Sequence, residues 1–167
     1  MAGFTFAASV SAAPDLPLTP TQAESARAAK TAFERGDYRG AEQTYKHLLA
    51  EAPKNLYVLS NLGVVQFRLG KLKLASDTLQ QATTVAPNDA FSHCTLGIVY
   101  YSQERYDDAI KSLKRAIQLN PKNATAHNYL GIAYSRKGLQ SEAAKELELA
   151  TSLDPTYSES PKESPNK

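Results

Sequence analysis

The chain has 167 residues, of which 42% are hydrophobic and 22% charged, and its formal net charge is +2. This composition is that of one globular domain long enough to bury a hydrophobic core, and so small a net charge gives no reason to expect a nucleic-acid partner. The single cysteine excludes an internal disulfide framework and any zinc site built from several cysteines.

The first twenty residues differ from the rest of the chain. Residues 4–10 are apolar, and Val10, Ser11 and Ala12 have the small-residue spacing of a signal-peptidase site. No Lys or Arg precedes the apolar run, which is short for a signal peptide and far too short to span a bilayer. Two readings stay open: a flexible leader on a cytoplasmic protein, or the end of an export signal, which would make the protein periplasmic or secreted. A proline-rich linker follows, with Pro14, Pro17 and Pro20.

A repeat of 34 residues governs the middle of the chain. It is set by four prolines at that spacing, Pro53, Pro87, Pro121 and Pro155. Four units therefore cover about 22–55, 56–89, 90–123 and 124–155. The residues after 155 are polar and contain two further prolines, so we expect a disordered tail at 156–167.

Each unit is expected to form two helices. The first helix has a residue suited to N-capping at Thr21, Asn55, Asp89 and Asn123. Thr21 and Glu24 have the spacing of a capping box. The helix breaks are placed at Gly36, Gly70, Glu104 and Gly138, and the second helix ends at the column proline.

One glycine column falls inside the first helices. It consists of Gly63, Gly97 and Gly131, each preceded by a leucine. Glycine in a helix interior costs ~1 kcal/mol relative to alanine. We therefore expect a close helix approach at this column, with alanine columns on the second helices as the matching small surface.

Seven positions recur in the third and fourth units. They are Leu96, Gly97, Tyr100, Ala109, Leu113, Ala116 and Pro121, repeated as Leu130, Gly131, Tyr134, Ala143, Leu147, Ala150 and Pro155. This pattern resembles the tetratricopeptide repeat family over residues 21–155, about four fifths of the chain. The resemblance implies an all-α fold: a right-handed superhelix, or solenoid, of four helix-turn-helix units with disordered termini. It also implies a concave face lined by the first helices, and a role in binding other proteins.

The adjacent His93 and Cys94 are the best candidates for chemistry, and neither is convincing. Neighbouring side chains on a helix diverge by about 100°, whereas a metal needs converging ligands. His127 lies one repeat further on, but no acidic residue stands in register with the pair. Cys94 lacks an orienting base, so a small packed side chain is the simpler reading. We expect no enzyme, no metal and no cofactor.

The resemblance places the second, fifth, ninth, twelfth and thirteenth residues of each first helix in the groove. With Asn61 added, the candidate groove residues are Lys30, Phe33, Tyr57, Asn61, Val64, Phe67, Arg68, Phe91, Cys94, Ile98, Tyr101, Asn128, Ile132 and Arg136. Val64, Ile98 and Ile132 would form an aliphatic row, and Phe33, Phe67 and Tyr101 an aromatic one. If these rows face the groove, they form an exposed apolar strip, which usually marks an interaction site. The alternative is that the aromatic side chains belong to the core.

Charges near the strip favour an apolar or amphipathic partner segment with some acidic character. Lys30, Arg68 and Arg136 stand against one acid, Glu34. The carboxylate clamp of chaperone co-factors in this family is not expected, because only Asn61 of its residues matches.

The leading hypothesis is a non-enzymatic scaffold or adaptor that binds a peptide or helix of another protein. One alternative is a cytoskeletal adaptor resembling bacterial kinesin-light-chain-like repeat proteins, and another is a periplasmic or envelope assembly factor. A basic outer cluster, Lys111, Lys114 and Arg115, would allow weak contact with an acidic filament or membrane, although a solvated face is the simpler explanation. The last repeat has no polar cap, and its Leu149 leaves room for self-association.

Overall fold

The computed structural model describes residues 17–159, and this part of the chain is an all-α solenoid of four helix pairs. Eight α-helices are found there: α1 (Pro20–Glu34), α2 (Tyr38–Glu51), α3 (Leu56–Arg68), α4 (Leu72–Val85), α5 (Ala90–Ser102), α6 (Tyr106–Leu119), α7 (Ala124–Arg136) and α8 (Gln140–Leu153). A 3-10 helix, Pro155–Glu159, follows α8. The proposed leader and the start of the linker, up to residue 16, fall outside the described residues.

The N-caps of α3, α5 and α7 are the residues predicted from the sequence, whereas the N-cap of α1 is not. Asn55, Asp89 and Asn123 each accept a hydrogen bond from the backbone three residues on. The predicted cap at Thr21 is wrong: α1 begins at Pro20, and Thr19 is its N-cap, paired with Gln22 rather than Glu24 in the capping box. Proline is favoured at the first helical position because that N–H has no partner anyway, so the helix starts before Thr21.

The helix breaks lie where the sequence placed them. Gly36, Gly70 and Gly138 have φ between 72° and 84°, and Glu104 takes the same turn with φ 60°. Each second helix ends two residues before its column proline. The residue between them leaves the helical region, as at Ala52 with ψ 71°. The proline ring disfavours helical geometry in the residue before it, and this sets the helix end.

The glycine column marks a close approach, but its neighbour is leucine. A Cβ added at Gly97 would lie 2.6 Å from Leu113 Cγ and 3.2 Å from the Ala109 carbonyl oxygen. The same contact recurs between Gly63 and Leu79 in the second unit. The alanine column therefore contributes its backbone, while a leucine side chain of the second helix fills the space that glycine leaves.

The first helices lie on the inner side of the stack. α3 contacts α5 and α5 contacts α7, while no comparable contact joins successive second helices within residues 17–159. Because the inner helices approach one another more closely, the stack curves with α1, α3, α5 and α7 on its concave side. No helix among the described residues has both the length and the apolar character needed to cross a bilayer.

The C-terminal tail is more ordered than predicted at its start. The 3-10 helix places the Tyr157 hydroxyl 2.8 Å from Thr125 Oγ1, near the start of α7. The expectation of disorder from residue 156 is therefore wrong for 156–159, because a hydrogen-bonded aromatic side chain holds this turn against the last unit. Residues 160–167 lie outside the described part.

Candidate partner-binding groove

The candidate groove residues separate into buried and accessible register columns. The fifth and ninth residues of the central first helices are buried, whereas the second, twelfth and thirteenth reach the surface. A helix turns 100° per residue, so these columns share one broad face of which only the two margins stay open. The register gives the direction of each side chain, and the neighbouring units decide whether solvent reaches it.

The expected exposed aliphatic row is wrong in its centre. Val64 is 3% exposed and Ile98 1%, while Ile132 at the end of the stack is half-buried. Cys94 and Asn128 of the fifth-residue column are buried as well. Residues of the second and third units have a neighbouring unit on each side, so solvent does not reach the side chains at these positions. These buried side chains form the core beneath the surface of the groove.

Asn61 and Phe33 are also buried rather than available in the groove. Asn61 is fully buried, and its Nδ2 donates to the Tyr57 carbonyl oxygen at 2.7 Å. Phe33 packs against Tyr38 of α2 with ring centroids 5.1 Å apart. A free ligand therefore has no direct access to either side chain.

A discontinuous set of aromatic side chains remains partly exposed over this core. Phe67 and Tyr101 pack against the cluster that contains Cys94 and Ile98. Tyr57 and Phe91 pack against the cluster that contains Val64. These four rings are half-buried. Part of each ring therefore packs against the core, and the rest of the ring is accessible to a partner.

Tyr129 is a further aromatic residue of the groove, which the sequence analysis missed. Its ring lies 6.0 Å from that of Tyr101, which in turn lies 5.7 Å from Tyr106. Burial and the nearby Tyr157 raise the pKa of Tyr129 above its ordinary value. It occupies the sixth position of α7, the register of Asn61, and that shared register was the available signal.

Three cations accompany the aromatic rings. The Arg68 guanidinium lies 5.8 Å from the centre of the Phe33 ring, and Arg136 Nε donates to the Tyr101 hydroxyl at 3.4 Å. Lys30 forms an ion pair with Glu34 at 3.7 Å. Both arginine side chains thus contact an aromatic residue, and these contacts limit the motion of the guanidinium groups.

His93 and His127 have structural partners. Nε2 of His93 donates to the Pro87 carbonyl oxygen at 3.0 Å, and Nε2 of His127 makes the equivalent bond to Pro121. Nδ1 of His127 lies 2.6 Å from Glu146 Oε2. The sequence analysis missed this acidic partner, because it lies on another helix and out of register. No group of three or more potential metal ligands occurs in residues 17–159.

Cys94 is a packed side chain rather than a nucleophile. It is buried, and burial raises the pKa of its thiol to about 12, against a hydrogen bond with Asn123 that lowers it. The thiolate that nucleophilic catalysis requires is therefore disfavoured at neutral pH.

Comparison of the sequence with models of protein families places this chain among repeat proteins. Two family models described as tetratricopeptide repeat match residues 32–91 and 124–157, and one described as TPR repeat matches 97–138. The comparison with curated proteins gave no significant match.

Solved structures of the same fold are numerous. A crystal structure of MamA is 28% identical, covering 76% of this chain and 74% of that one with a TM-score of 0.71. MamA from Desulfovibrio magneticus RS-1 is 24% identical, covering 81% and 76% with a TM-score of 0.74. YrrB is 22% identical, covering 80% and 69% with a TM-score of 0.71. The last two likenesses show the fold alone.

Proposed function

Because the chain belongs to the tetratricopeptide repeat family, we propose that it is a non-enzymatic scaffold that binds a peptide or helix of another protein in its concave groove. The fold is that of a protein-interaction scaffold.

The observation that carries the proposal is the set of half-buried aromatic rings on the concave side. Tyr57, Phe67, Phe91 and Tyr101 are each anchored on one side by the core and open on the other. An anchored ring loses little conformational entropy when a ligand covers it, and aromatic residues are common among the residues that dominate binding energy. Contacts between partner and groove should therefore concentrate on these rings.

The charges of the groove favour some acidic character in the ligand. Arg136 is hydrogen-bonded to the half-buried Tyr101, and Arg68, on the same margin of the groove, lies against the buried Phe33 ring, so positive charge accompanies the exposed aromatic side chains. A ligand with apolar residues and one or two carboxylates would be complementary to both. The burial of Asn61 further weakens the case for a carboxylate clamp.

A displayed library of random peptides, selected against the full chain, tests the proposal without a known partner. Enriched peptides should combine aromatic or aliphatic residues with Asp or Glu. Their affinity, measured by fluorescence anisotropy, should fall about tenfold in Phe91→Ala, the loss typical of a well-packed interface residue. Arg68→Gln should weaken acidic peptides more than their amide analogues.

Matched controls lie on α4. Leu74 is 48% exposed there and Lys73 is exposed beside it, so Leu74→Ala and Lys73→Gln remove an apolar and a charged side chain away from the groove. Circular dichroism checks that each variant stays helical. If selected peptides bind the groove variants normally, or lose binding to the α4 variants instead, the groove is not the binding surface.

A further inference from the structure

A cleft of about 660 Å³ opens between α4 and α6, and it is separate from the concave groove. α5 contributes His93, Leu96 and Tyr100 to it. These are the fourth, seventh and eleventh residues of α5, and at 100° per residue they lie on the side opposite the second and twelfth positions. The volume is within the range of ligand-binding clefts.

The charged residues that line the cleft are mostly basic. They comprise four cations, Arg105, Lys111, Lys114 and Arg115, and one acid, Asp108. Asp108 Oδ2 lies 2.6 Å from Arg105 Nη2, so this pair largely neutralises itself. Three cations are left, in a chain whose net charge is only +2.

These three cations differ in how they are held. Arg115 Nη2 donates to Asn88 Oδ1 at 2.8 Å and to the Pro87 carbonyl oxygen at 3.4 Å, and its Nη1 donates to Gln118 Oε1 at 3.4 Å, so these partners are neutral acceptors. Lys114 lies 5.5 Å from the Tyr134 ring. Lys111 is exposed and makes no ion pair in the described part of the chain. Positive charge is thus positioned in the cleft without a carboxylate to match Lys111 or Arg115.

The spacing of the cations fits an extended peptide. Lys111 and Arg115 are four residues apart on α6, a rise of about 6 Å. Side chains on one face of an extended chain recur about every 6.5–7 Å. Two acids separated by one residue would therefore reach both cations, with the chain between them passing over the buried Leu96, beside the Tyr100 ring that the Arg105 guanidinium covers at 4.3 Å from its centre.

We propose that this cleft is a second interaction site, which binds an acidic, extended segment of a partner protein through Lys111 and Arg115. A bilayer presents a flat anionic surface and cannot enter a recess between two helices. A nucleic acid would need a wide basic surface, whereas the excess charge here is confined to one cleft of a nearly neutral chain. The site does not depend on the concave groove.

The test uses the full chain and a fluorescein-labelled peptide of alternating Glu and Thr, with the Gln–Thr peptide as its neutral control. The Glu–Thr peptide should bind, and the Gln–Thr peptide should not. Lys111→Gln/Arg115→Gln should weaken binding about tenfold, because each exposed ion pair lost accounts for up to about fivefold and the two together for up to about 25-fold. Lys73→Gln/Lys145→Gln removes the same charge elsewhere and should change affinity less than twofold.

Two further measurements keep the test decisive if the double variant folds poorly. Lys111→Gln alone alters only an exposed side chain and should weaken binding about threefold or more. Carbodiimide should join peptide carboxylates to the amines of Lys111 or Lys114, as mapped by mass spectrometry.

Several results would overturn the assignment. These are no binding of the Glu–Thr peptide, equal losses in the two double variants, or crosslinks confined to other lysines. Tighter binding of anionic vesicles or duplex DNA than of the peptide, lost in the same variant, would reassign the cleft to a membrane or a nucleic acid.

Discussion

Replacing Gly97 by alanine should destabilise the protein, although alanine is the better helix former. The added Cβ would lie 2.6 Å from Leu113 Cγ, 3.0 Å from Leu113 Cδ2 and 3.2 Å from the carbonyl oxygen of Ala109. Carbon atoms in favourable contact are about 3.5–4.0 Å apart. α5 and α6 would have to separate by about 1 Å, or Leu113 would have to leave its place in the core.

The sign of the effect follows from two opposing magnitudes. Removing glycine from a helix interior gains ~1 kcal/mol. Overpacking a core costs about 1–3 kcal/mol, and the upper part of this range applies because Leu113 is fully buried and the Ala109 oxygen belongs to the backbone. The free energy of unfolding should therefore fall by about 1–2 kcal/mol.

A double-mutant cycle with Leu113→Ala identifies the cause. Leu113→Ala alone leaves a cavity and should cost about 2–5 kcal/mol. In the double variant, the methyl group at 97 enters the vacated space, so the loss should be smaller than the sum of the single losses by at least ~1 kcal/mol. Urea unfolding followed by circular dichroism measures all four proteins.

Two outcomes would refute this reasoning. A Gly97→Ala variant as stable as the parent would mean that helix propensity, and not close approach, decides the position. Additive losses in the double variant would mean that Leu113 is not the obstacle. Gly131→Ala is a useful comparison, because its neighbour Leu147 is only half-buried in the last unit and can move aside at lower cost.

Glu104→Gly should stabilise the protein by about 0.5–1 kcal/mol in chemical unfolding, because a positive φ costs an L-residue more than glycine loses in entropy; Glu104→Ala should show no such gain. Although burial raises the pKa of Glu42, hydrogen bonds from Lys71 and Lys46 hold it below its ordinary value. Its contribution to stability is present above the ordinary carboxyl pKa and is lost as pH falls through the lowered folded value, so Glu42→Gln should lessen the loss of stability in an acid titration. Cys94 should resist iodoacetamide at pH 8 in the native protein and react once the chain is unfolded, as read by mass spectrometry, because burial raises its pKa to about 12. Rapid labelling of the native thiol would contradict its packing.

The framework of the fold could be predicted from sequence because its rules act within a few residues or recur at the 34-residue spacing of the repeat. N-caps at Asn55, Asp89 and Asn123 depend on a side chain and a backbone N–H three residues on. The break at Glu104 was found from the repeat even though glycine is absent there. Where a local rule was overruled, the cause was also local: Pro20 starts α1 before Thr21.

Burial in the groove could not be predicted from register, because it depends on neighbouring units. Val64, Ile98 and Ile132 hold the same position in their helices, yet only the central two are buried. The pairing of His127 with Glu146 joins residues 19 apart on different helices. Tyr157 was assigned to a disordered tail because residues 156–167 are polar and contain two prolines, but its hydroxyl meets that of Thr125, which lies 32 residues earlier in the last unit. Each miss concerns a contact between elements, which periodicity does not encode.

The residues most suited to specificity are those where a unit departs from the repeat without a structural need. At the registers of Lys111 and Arg115, the second unit has Asp77 and Gln81, and the fourth has Lys145 and Leu149. All four units build the same helix pair with different side chains at these positions, so packing does not dictate them. Among these units, only the third has two cations at these positions, and both cations line a cleft. A repeat protein can therefore place a binding site in one unit by changing exposed side chains while its leucine, glycine and alanine columns maintain the stack.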